Sequence, residues 1–343
     1  MKTVAAKPAT QRKELFSATA SKMGITPAAA EKDFWIVWTL QQLFNLPDIA
    51  KHLCFKGGTS LSKAYGLIER FSEDIDLILD WRDLSEQDPQ AERSKTQQGR
   101  LNSSINQAAQ SYIRETLLPA VQQGVQPHCS ARLDEHDPHT INIEYPAEFA
   151  AGYLRPIVRL EIGPLAAMLP KQQCAISSYA AEYFPQAFTE TSVEIPTILA
   201  ERTFWEKLTI LHAEAHRPKD KPLPSRYARH YYDVYRMAES DSAARALADK
   251  ALLEDVVAFK QKFYPMAWAN YQTATSQGLK LLPSSEHQKA LKADYLAMKE
   301  MIFGELPEFE TLLSALENLQ SRIHQLSEAE RDEPDNESNK ETH

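Results

Sequence analysis

The chain has 343 residues, 43% of them hydrophobic and 25% charged, which predicts a soluble globular protein with room for two domains. Its formal net charge of -9 argues against non-specific coating of nucleic acid, which relies on an excess of Lys and Arg, but does not exclude a local basic groove. The three cysteines lack metal-ligand spacing and predict no disulfide framework. No apolar run reaches membrane-spanning length and no signal core opens the chain, so we expect a cytoplasmic protein without a membrane partner.

The hydrophobic pattern predicts a mixed first part and a helical second part. Thr26 and Pro27 supply the N-cap and the first position of an early helix. Strands are predicted at residues 52–55, 72–80, 140–145 and 157–162, helices at 11–22, 27–44, 101–118, 200–215 and 226–239, and a loop at 83–99.

From residue 193 onward the pattern is almost entirely helical. This change predicts a first domain over residues 1–195 and a helical domain over residues 196–326. Residues 327–343 are acidic and lack aromatic and branched apolar side chains, which predicts a disordered tail.

An Asp-x-Asp pattern lies in the strand predicted at residues 72–80. Side chains alternate along a strand, so Asp74 and Asp76 project to one side while Ile75 and Leu77 project into the core. Two adjacent carboxylates disfavour joint ionisation unless a cation lies between them. Mg²⁺ suits such oxygen ligands and brings substrate phosphates with it, so the pair predicts a metal site.

A glycine pair precedes these aspartates by about 16 residues. Gly57 and Gly58 have no Cβ, so their backbone can approach a ligand closely, and a helix starting nearby offers N–H groups to an anion. A lone Gly-Gly is usually a turn and a lone Asp-x-Asp a solvated strand end, but together they predict a metal-dependent nucleotide site. The candidate nucleotide-binding residues are Lys56, Gly57, Gly58, Thr59, Ser60 and Ser72.

The sequence KGGTSLSKAYG followed by RFSEDIDL resembles the first motif of the AbiEii/AbiGii-type nucleotidyltransferase toxins. These are the toxin halves of abortive-infection and type IV toxin–antitoxin systems, within the polymerase-beta-like nucleotidyltransferase superfamily. The resemblance covers most of residues 30–240 and implies an α+β nucleotidyltransferase fold, a mixed sheet flanked by helices, followed by an all-helical C-terminal domain that completes an active-site cleft.

Two acids and a lysine acquire roles from this resemblance. Glu161, on a neighbouring strand, would be a third metal ligand; the alternative is an exposed acid paired with Arg159. Lys207, in a Thr-Phe-x-x-Lys-Leu segment, would contact the triphosphate; the alternative is a surface lysine. Asp233, in Arg-His-Tyr-Tyr-Asp-Val-Tyr, would be catalytic, orienting the nucleophile or Lys207, against the alternative of a salt bridge with Arg229. The predicted catalytic set is thus Asp74, Asp76, Lys207 and Asp233.

Two further pairs of residues each allow two interpretations. Lys32 and Asp33 belong to a Lys-Asp-Phe-Trp segment common in the family, and either begin a solvated helix or act near the nucleotide. His212 and His216 have the spacing of a metal pair but no third ligand nearby in the sequence.

The implied reaction is Mg²⁺-dependent attack on the α-phosphate of a nucleoside triphosphate, GTP or a pyrimidine nucleotide in this family. The tRNA 3′ end is the expected acceptor, and a cognate antitoxin from the same operon is the expected partner. A basic loop with Arg217, Lys219 and Lys221 mildly favours RNA over a protein hydroxyl as acceptor. A non-catalytic nucleotide sensor is the other alternative, and the intact Asp74/Asp76 pair counts against it.

Overall fold

The computed structural model of the chain describes residues 1–149 and 155–329. The chain divides into two compact units, Met1–Thr203 with Met301–Glu305, and Phe204–Glu300 with the chain from Leu306 onward. The predicted boundary after residue 195 lies close to this division, but the return of residues 301–305 to the first unit has no counterpart in the sequence prediction.

The first unit is built on a mixed seven-stranded sheet with strand order β3-β4-β5-β2-β1-β7-β6. Strand β2 lies near its middle, antiparallel to β1 and parallel to β5. The strands are β1 (Leu53–Lys56), β2 (Asp74–Leu79), β3 (Ser130–Leu133), β4 (Thr140–Glu144), β5 (Ile157–Gly163), β6 (Lys171–Ser177) and β7 (Ser192–Ile198).

Helices accompany this sheet, and α3 forms the centre of its core. Thr26 Oγ1 accepts from the Ala29 N–H at 3.2 Å and Pro27 follows it, as the sequence predicts. Trp35 and Trp38 of α3 are fully buried and pack edge to face. The helices are α1 (Lys2–Ala5), α2 (Ala9–Met23), α3 (Pro27–Phe44), α4 (Pro47–Ala50), α5 (Gly57–Lys63), α6 (Lys95–Tyr112), α7 (Leu118–Val125) and α8 (Tyr179–Tyr183).

Two sequence predictions in this unit are wrong in extent. The loop predicted to residue 99 ends at Ser94, because Ser94 and Gln97 form a reciprocal capping box that starts α6 earlier. The helix predicted at residues 101–118 continues through a π-helical turn, Ile113–Leu117, into α7.

The second unit is helical. Its helices are α9 (Ala200–Ala215), which starts in the first unit, α10 (Ala228–Met237), α11 (Asp241–Ala248), α12 (Lys250–Phe263), α13 (Ser285–Ala297) and α14 (Phe309–Ala329). Helix α10 starts later than predicted: Arg226 adopts φ 64°, and Asp294 accepts from the Arg226 and Ala228 N–H groups at 2.6 and 2.7 Å. Residues 327–329 of the predicted disordered tail belong to α14 instead, and the rest of that tail, residues 330–343, lies outside the described residues.

This architecture confirms the predicted α+β fold with helices following the sheet. No helix within residues 1–149 and 155–329 is long and apolar enough to cross a membrane.

Candidate active site

The register of three neighbouring strands aligns the predicted acids. Asp76 of β2 lies opposite Lys56 of β1 on one side and Glu161 of β5 on the other. Asp74 lies opposite Arg159 of β5. Partners in a ladder face the same side of a sheet, so these five polar residues share one face. Ile75 and Leu77 are fully buried and belong to the core on the other face, as the alternation predicts.

The glycine pair packs directly against this strand. Gly57 adopts φ 82°, and a Cβ built there would lie 2.6 Å from the carboxyl carbon of Asp76. A Cβ on Gly58 would lie 2.7 Å from Arg70 Nη2 and 3.0 Å from Ser72 Oγ. At Gly57 the added Cβ would also lie 2.9 Å from the Cβ of Asp76, so only a residue without a side chain fits there, and this allows the turn and the acidic strand to touch.

Two hydroxyl groups fix the same turn from inside. Thr59 Oγ1 donates to the carbonyl oxygen of Asp74, and Ser60 Oγ donates to the carbonyl oxygen of Gly57 at 2.8 Å. Both side chains are buried, with 2% and 0% of their residue surface exposed. These contacts give Thr59 and Ser60 a part in shaping the turn, beside the phosphate contact predicted for them.

Arg159 supplies positive charge to the acidic face. Its guanidinium lies 3.3 Å from Glu161 Oε1, 3.9 Å from Asp74 Oδ1 and 3.8 Å from Asp134 Oδ2. Burial, followed by the negative charge of Glu73 and then Asp76, raises the pKa of Asp74 above its usual range. The face thus carries three carboxylates, Asp74, Asp76 and Glu161, and two cations, Lys56 and Arg159.

The donor chemistry of Asp74 and Asp76 fits a divalent cation. Both are carboxylates on one strand face. Burial is the main cause of the raised pKa of Asp74, and the charges of Glu73 and Asp76, which a bound cation would offset, add to it. Glu161 lies beside Asp76 in the register, but its carboxylate contacts Arg159. Within the described part of the chain, no group of three or more His, Cys, Asp or Glu side chains is arranged to hold a metal.

Lys32 and Asp33 are not a solvated helix start, because both are buried, with 1% and 2% exposed. Lys32 Nζ donates to Glu73 Oε2 at 2.8 Å, immediately before Asp74. Asp33 Oδ1 lies 2.8 Å from Lys63 Nζ at the end of α5, and Asp33 Oδ2 accepts from the Tyr179 N–H at 2.6 Å.

The second unit brings Lys207 and Asp233 together. Lys207 Nζ lies 2.7 Å from Asp233 Oδ2, and the two side chains are 8% and 0% exposed. Lys207 is therefore not a surface lysine, and Asp233 forms an ion pair with it. The catalytic role predicted for Asp233 stays a prediction.

His212 of α9 and His216, which follows this helix, form hydrogen bonds within the second unit. His212 Nδ1 accepts from the Lys280 N–H at 3.0 Å, and its Nε2 donates to the Asn270 carbonyl at 3.1 Å. His216 Nδ1 donates to the His212 carbonyl at 2.8 Å. Burial lowers the pKa of His212 to about 4, so it is neutral at pH 7. These bonds identify the histidine pair as structural.

Two cations of the basic loop contact carboxylates. Arg217 binds the buried Glu214 through two nitrogens, at 2.5 and 3.0 Å, and its guanidinium lies 4.7 Å from the Trp268 ring centroid. Lys219 forms an ion pair with Glu286. The loop therefore offers less unbalanced positive charge than its sequence suggests.

Sequence reasoning did not single out Arg70 or Glu73 in the first unit. Arg70 is only 3% exposed and abuts Gly58. Both lie in the stretch that joins the glycine and aspartate motifs, and this position is the sequence signal that could have identified them.

The model of the AbiEii family, described as nucleotidyl transferase AbiEii toxin of a type IV toxin–antitoxin system, matches residues 38–315. A comparison with curated proteins finds no match.

The solved structures similar to this chain include three bacterial proteins. JHP933 of Helicobacter pylori is 15% identical, with 90% of this chain and 97% of that chain covered and a TM-score of 0.43. MenT4, a nucleotidyltransferase toxin of Mycobacterium tuberculosis, is 15% identical, with 90% and 98% covered and a TM-score of 0.43. A putative nucleotidyltransferase of H. pylori is 16% identical, with 85% and 95% covered and a TM-score of 0.40.

Proposed function

The chain belongs to the AbiEii family of nucleotidyl transferase toxins of type IV toxin–antitoxin systems, and on that premise we propose that it transfers a nucleotide, with Mg²⁺, from a nucleoside triphosphate to the 3′ end of tRNA. The family makes the chain a nucleotidyltransferase. The observation that carries the proposal is the contact of Gly57 with Asp76, which places a Cβ-free turn against the acidic strand.

Asp74 and Asp76 are the proposed ligands of Mg²⁺. The ion, when bound, supplies a Lewis acid for the α-phosphate and lowers the pKa of the attacking hydroxyl. Glu161 would join them if its contact with Arg159, at 3.3 Å, were released. Arg159 meanwhile moderates the repulsion among these carboxylates.

The glycine turn is the proposed phosphate site. It consists of residues 56–60, and it packs against Asp76 at Gly57 and against Ser72 at Gly58. The backbone N–H groups of such a turn favour anionic oxygens. Thr59, through its bond to the Asp74 carbonyl, keeps this turn and the metal ligands in one geometry. Fixed geometry of this kind can supply much of the rate enhancement in phosphoryl transfer.

Lys207 is the proposed contact to the triphosphate, by the family resemblance, and Asp233 is proposed to orient its ammonium. Lys207 and Asp233 form a buried ion pair, with 2.7 Å between Nζ and Oδ2. This supports the role, because a carboxylate that holds a buried lysine restricts the directions in which its ammonium can donate hydrogen bonds.

A protein hydroxyl is the second candidate acceptor. The pairing of Arg217 and Lys219 with carboxylates favours it, because fewer loop cations are then left for RNA phosphates. The proposed setting of either reaction is the cytoplasm, with a cognate antitoxin encoded in the same operon.

The test is an incubation of the protein with total tRNA, a cell lysate protein fraction and each α-³²P-labelled triphosphate in turn, with Mg²⁺ or with EDTA. We expect Mg²⁺-dependent label in tRNA with one triphosphate and none with the Asp76→Asn variant. Label in protein alone would establish the second candidate, and label in neither fraction would refute both.

A further inference from the structure

We propose that Lys32 and Asp33 are positioning residues for the transfer reaction, which set the acidic strand and the glycine helix in one geometry. This inference rests on the proposed function and adds two residues that contact neither the proposed metal site nor the phosphate turn directly.

The argument begins with the placement of the pair on α3. Neighbouring residues on a helix point about 100° apart, so two consecutive side chains can reach two different elements. Lys32 reaches Glu73, immediately before β2, at 2.8 Å, and Asp33 reaches Lys63, the last residue of α5, at 2.8 Å. One turn of α3 therefore holds both parts of the candidate site.

We call the contact of Lys32 with Glu73 the Lys32 arm and the contact of Asp33 with Lys63 the Asp33 arm. The first arm ends one residue before the proposed metal ligands, and the second ends at the short helix that carries the glycine turn. Glu73 precedes Asp74, so the Lys32–Glu73 bond fixes the chain where the metal ligands begin. Lys63 closes α5, whose first residue, Gly57, abuts Asp76. A rotation of α5 would move the glycine turn, and the Asp33–Lys63 ion pair resists it.

The Asp33 arm has a second support. Asp33 Oδ2 accepts from the Tyr179 N–H at 2.6 Å, and Lys63 Nζ lies 3.6 Å from the centroid of the Tyr179 ring. Lys63 is thus held between a carboxylate and an aromatic face. The three groups form one closed set of contacts.

Burial and rigidity make this arrangement suited to positioning. The side chains of Lys32, Asp33 and Lys63 are between 2% and 5% exposed, and Glu73 is 11% exposed. The helix that carries the pair is anchored by the buried Trp35 and Trp38. Ion pairs on rigid elements restrict the residues they contact more than surface pairs on mobile chains do.

The experiment measures kcat, KM for the triphosphate and melting temperature for Lys32→Met, Asp33→Asn and Lys32→Arg, in the transfer assay. Removal of groups that orient metal ligands typically lowers metal affinity or activity 10- to 100-fold. We expect kcat to fall about 10- to 100-fold for Lys32→Met and Asp33→Asn, with KM within about threefold, and the Mg²⁺ concentration for half-maximal rate to rise. Lys32→Arg should keep most of the activity.

Arg12→Met is the matched control, because Arg12 is a buried cation of the same unit that pairs with Glu148 and contacts neither arm. It should lower the melting temperature with kcat within twofold of wild type. The double variant Lys32→Met/Glu73→Gln removes both charges of one arm, so it should regain melting temperature while kcat stays low.

Recovery of kcat in the double variant, or kcat losses that match those of Arg12→Met, would overturn the inference and leave the pair a structural one. A wild-type protein that transfers no nucleotide would instead refute the proposed function. In that case the Mg²⁺-dependent binding of a non-hydrolysable triphosphate by the same variants decides the inference: affinity for Mg²⁺ reduced tenfold or more supports it, and unchanged affinity refutes it.

Discussion

Replacement of Gly57 by alanine should separate backbone strain from damage to the candidate site. At φ 82° an L-residue is strained, which costs roughly 1–2 kcal/mol. The new Cβ would lie 2.6 Å from the Asp76 carboxyl carbon and 2.9 Å from the Asp76 Cβ. Optimal carbon–carbon contact is about 3.5–4.0 Å, so Asp76 must move by about 1 Å. A change of rotamer cannot relieve this overlap, because the Cβ of Asp76 is itself too close.

A displacement of about 1 Å in a reacting group can cost about 100-fold in rate. We therefore expect Gly57→Ala to lower kcat/KM at least about 100-fold while its free energy of unfolding falls by about 1–3 kcal/mol. The assay is labelled-nucleotide transfer over a range of triphosphate concentrations, with urea unfolding of the same preparations.

Gly66→Ala is the control. Gly66 has a similar backbone angle, φ 61°, but nothing lies within 4 Å of its added Cβ. This variant should lose a similar part of its stability through strain and keep its activity. If Gly57→Ala retained activity within a few-fold of Gly66→Ala, the close contact between turn and strand would have no part in the reaction.

Three further predictions concern separate parts of the molecule. Asp74→Asn or Asp76→Asn should lower transfer at least about 100-fold with the melting temperature kept, and an active, folded variant would exclude the two-carboxylate metal site. Burial lowers the pKa of His212 from an ordinary 6.5 to about 4 in the folded protein. The contribution of neutral His212 to the free energy of unfolding is therefore present above pH 6.5 and is lost as the pH falls toward 4, by no more than about 3 kcal/mol. Urea unfolding at pH 7.5 and pH 5 should show this loss, and His212→Gln should reduce it. Lys221→Gln should lower by about 0.9 the slope of the logarithm of the tRNA binding constant against the logarithm of salt concentration. Arg217→Gln should mainly destabilise the protein, because its partner carboxylate, that of Glu214, is buried. Equal slopes in both variants and in the wild type would show that the loop does not bind RNA.

The local parts of the site could be predicted because their chemistry is local. Alternation along a strand places Asp74 and Asp76 on one face, and the structure has them there. The glycine pair lies where the chain needs residues without Cβ, and the contact with Asp76 gives the physical reason. Each of these inferences used a period or a residue property that operates within a few positions.

The contacts between distant residues could not be predicted in the same way. Lys32 and Glu73 are 41 positions apart, and no periodicity connects them. The sequence allowed two interpretations of Lys32, and the packing of α3, which buries this side chain, excludes the solvated one. The polar edge strand β6 was missed for a related reason: half of its residues face solvent, so it lacks the apolar signal of an inner strand.

The buried pair of Lys207 and Asp233 offers a test in which stability and activity should respond differently. Loss of one member leaves the other charged and buried, which typically costs about 3–5 kcal/mol, so Lys207→Met should be strongly destabilised. Lys207→Met/Asp233→Asn leaves no buried charge and should regain most of that loss. Activity should not return in the double variant, because the ammonium proposed to contact the triphosphate is absent. Urea unfolding and transfer assays on the two single variants, the double variant and Lys207→Arg separate these effects. If the double variant regained activity together with stability, the pair would be purely structural, and the role that the family resemblance gives to Lys207 would be wrong.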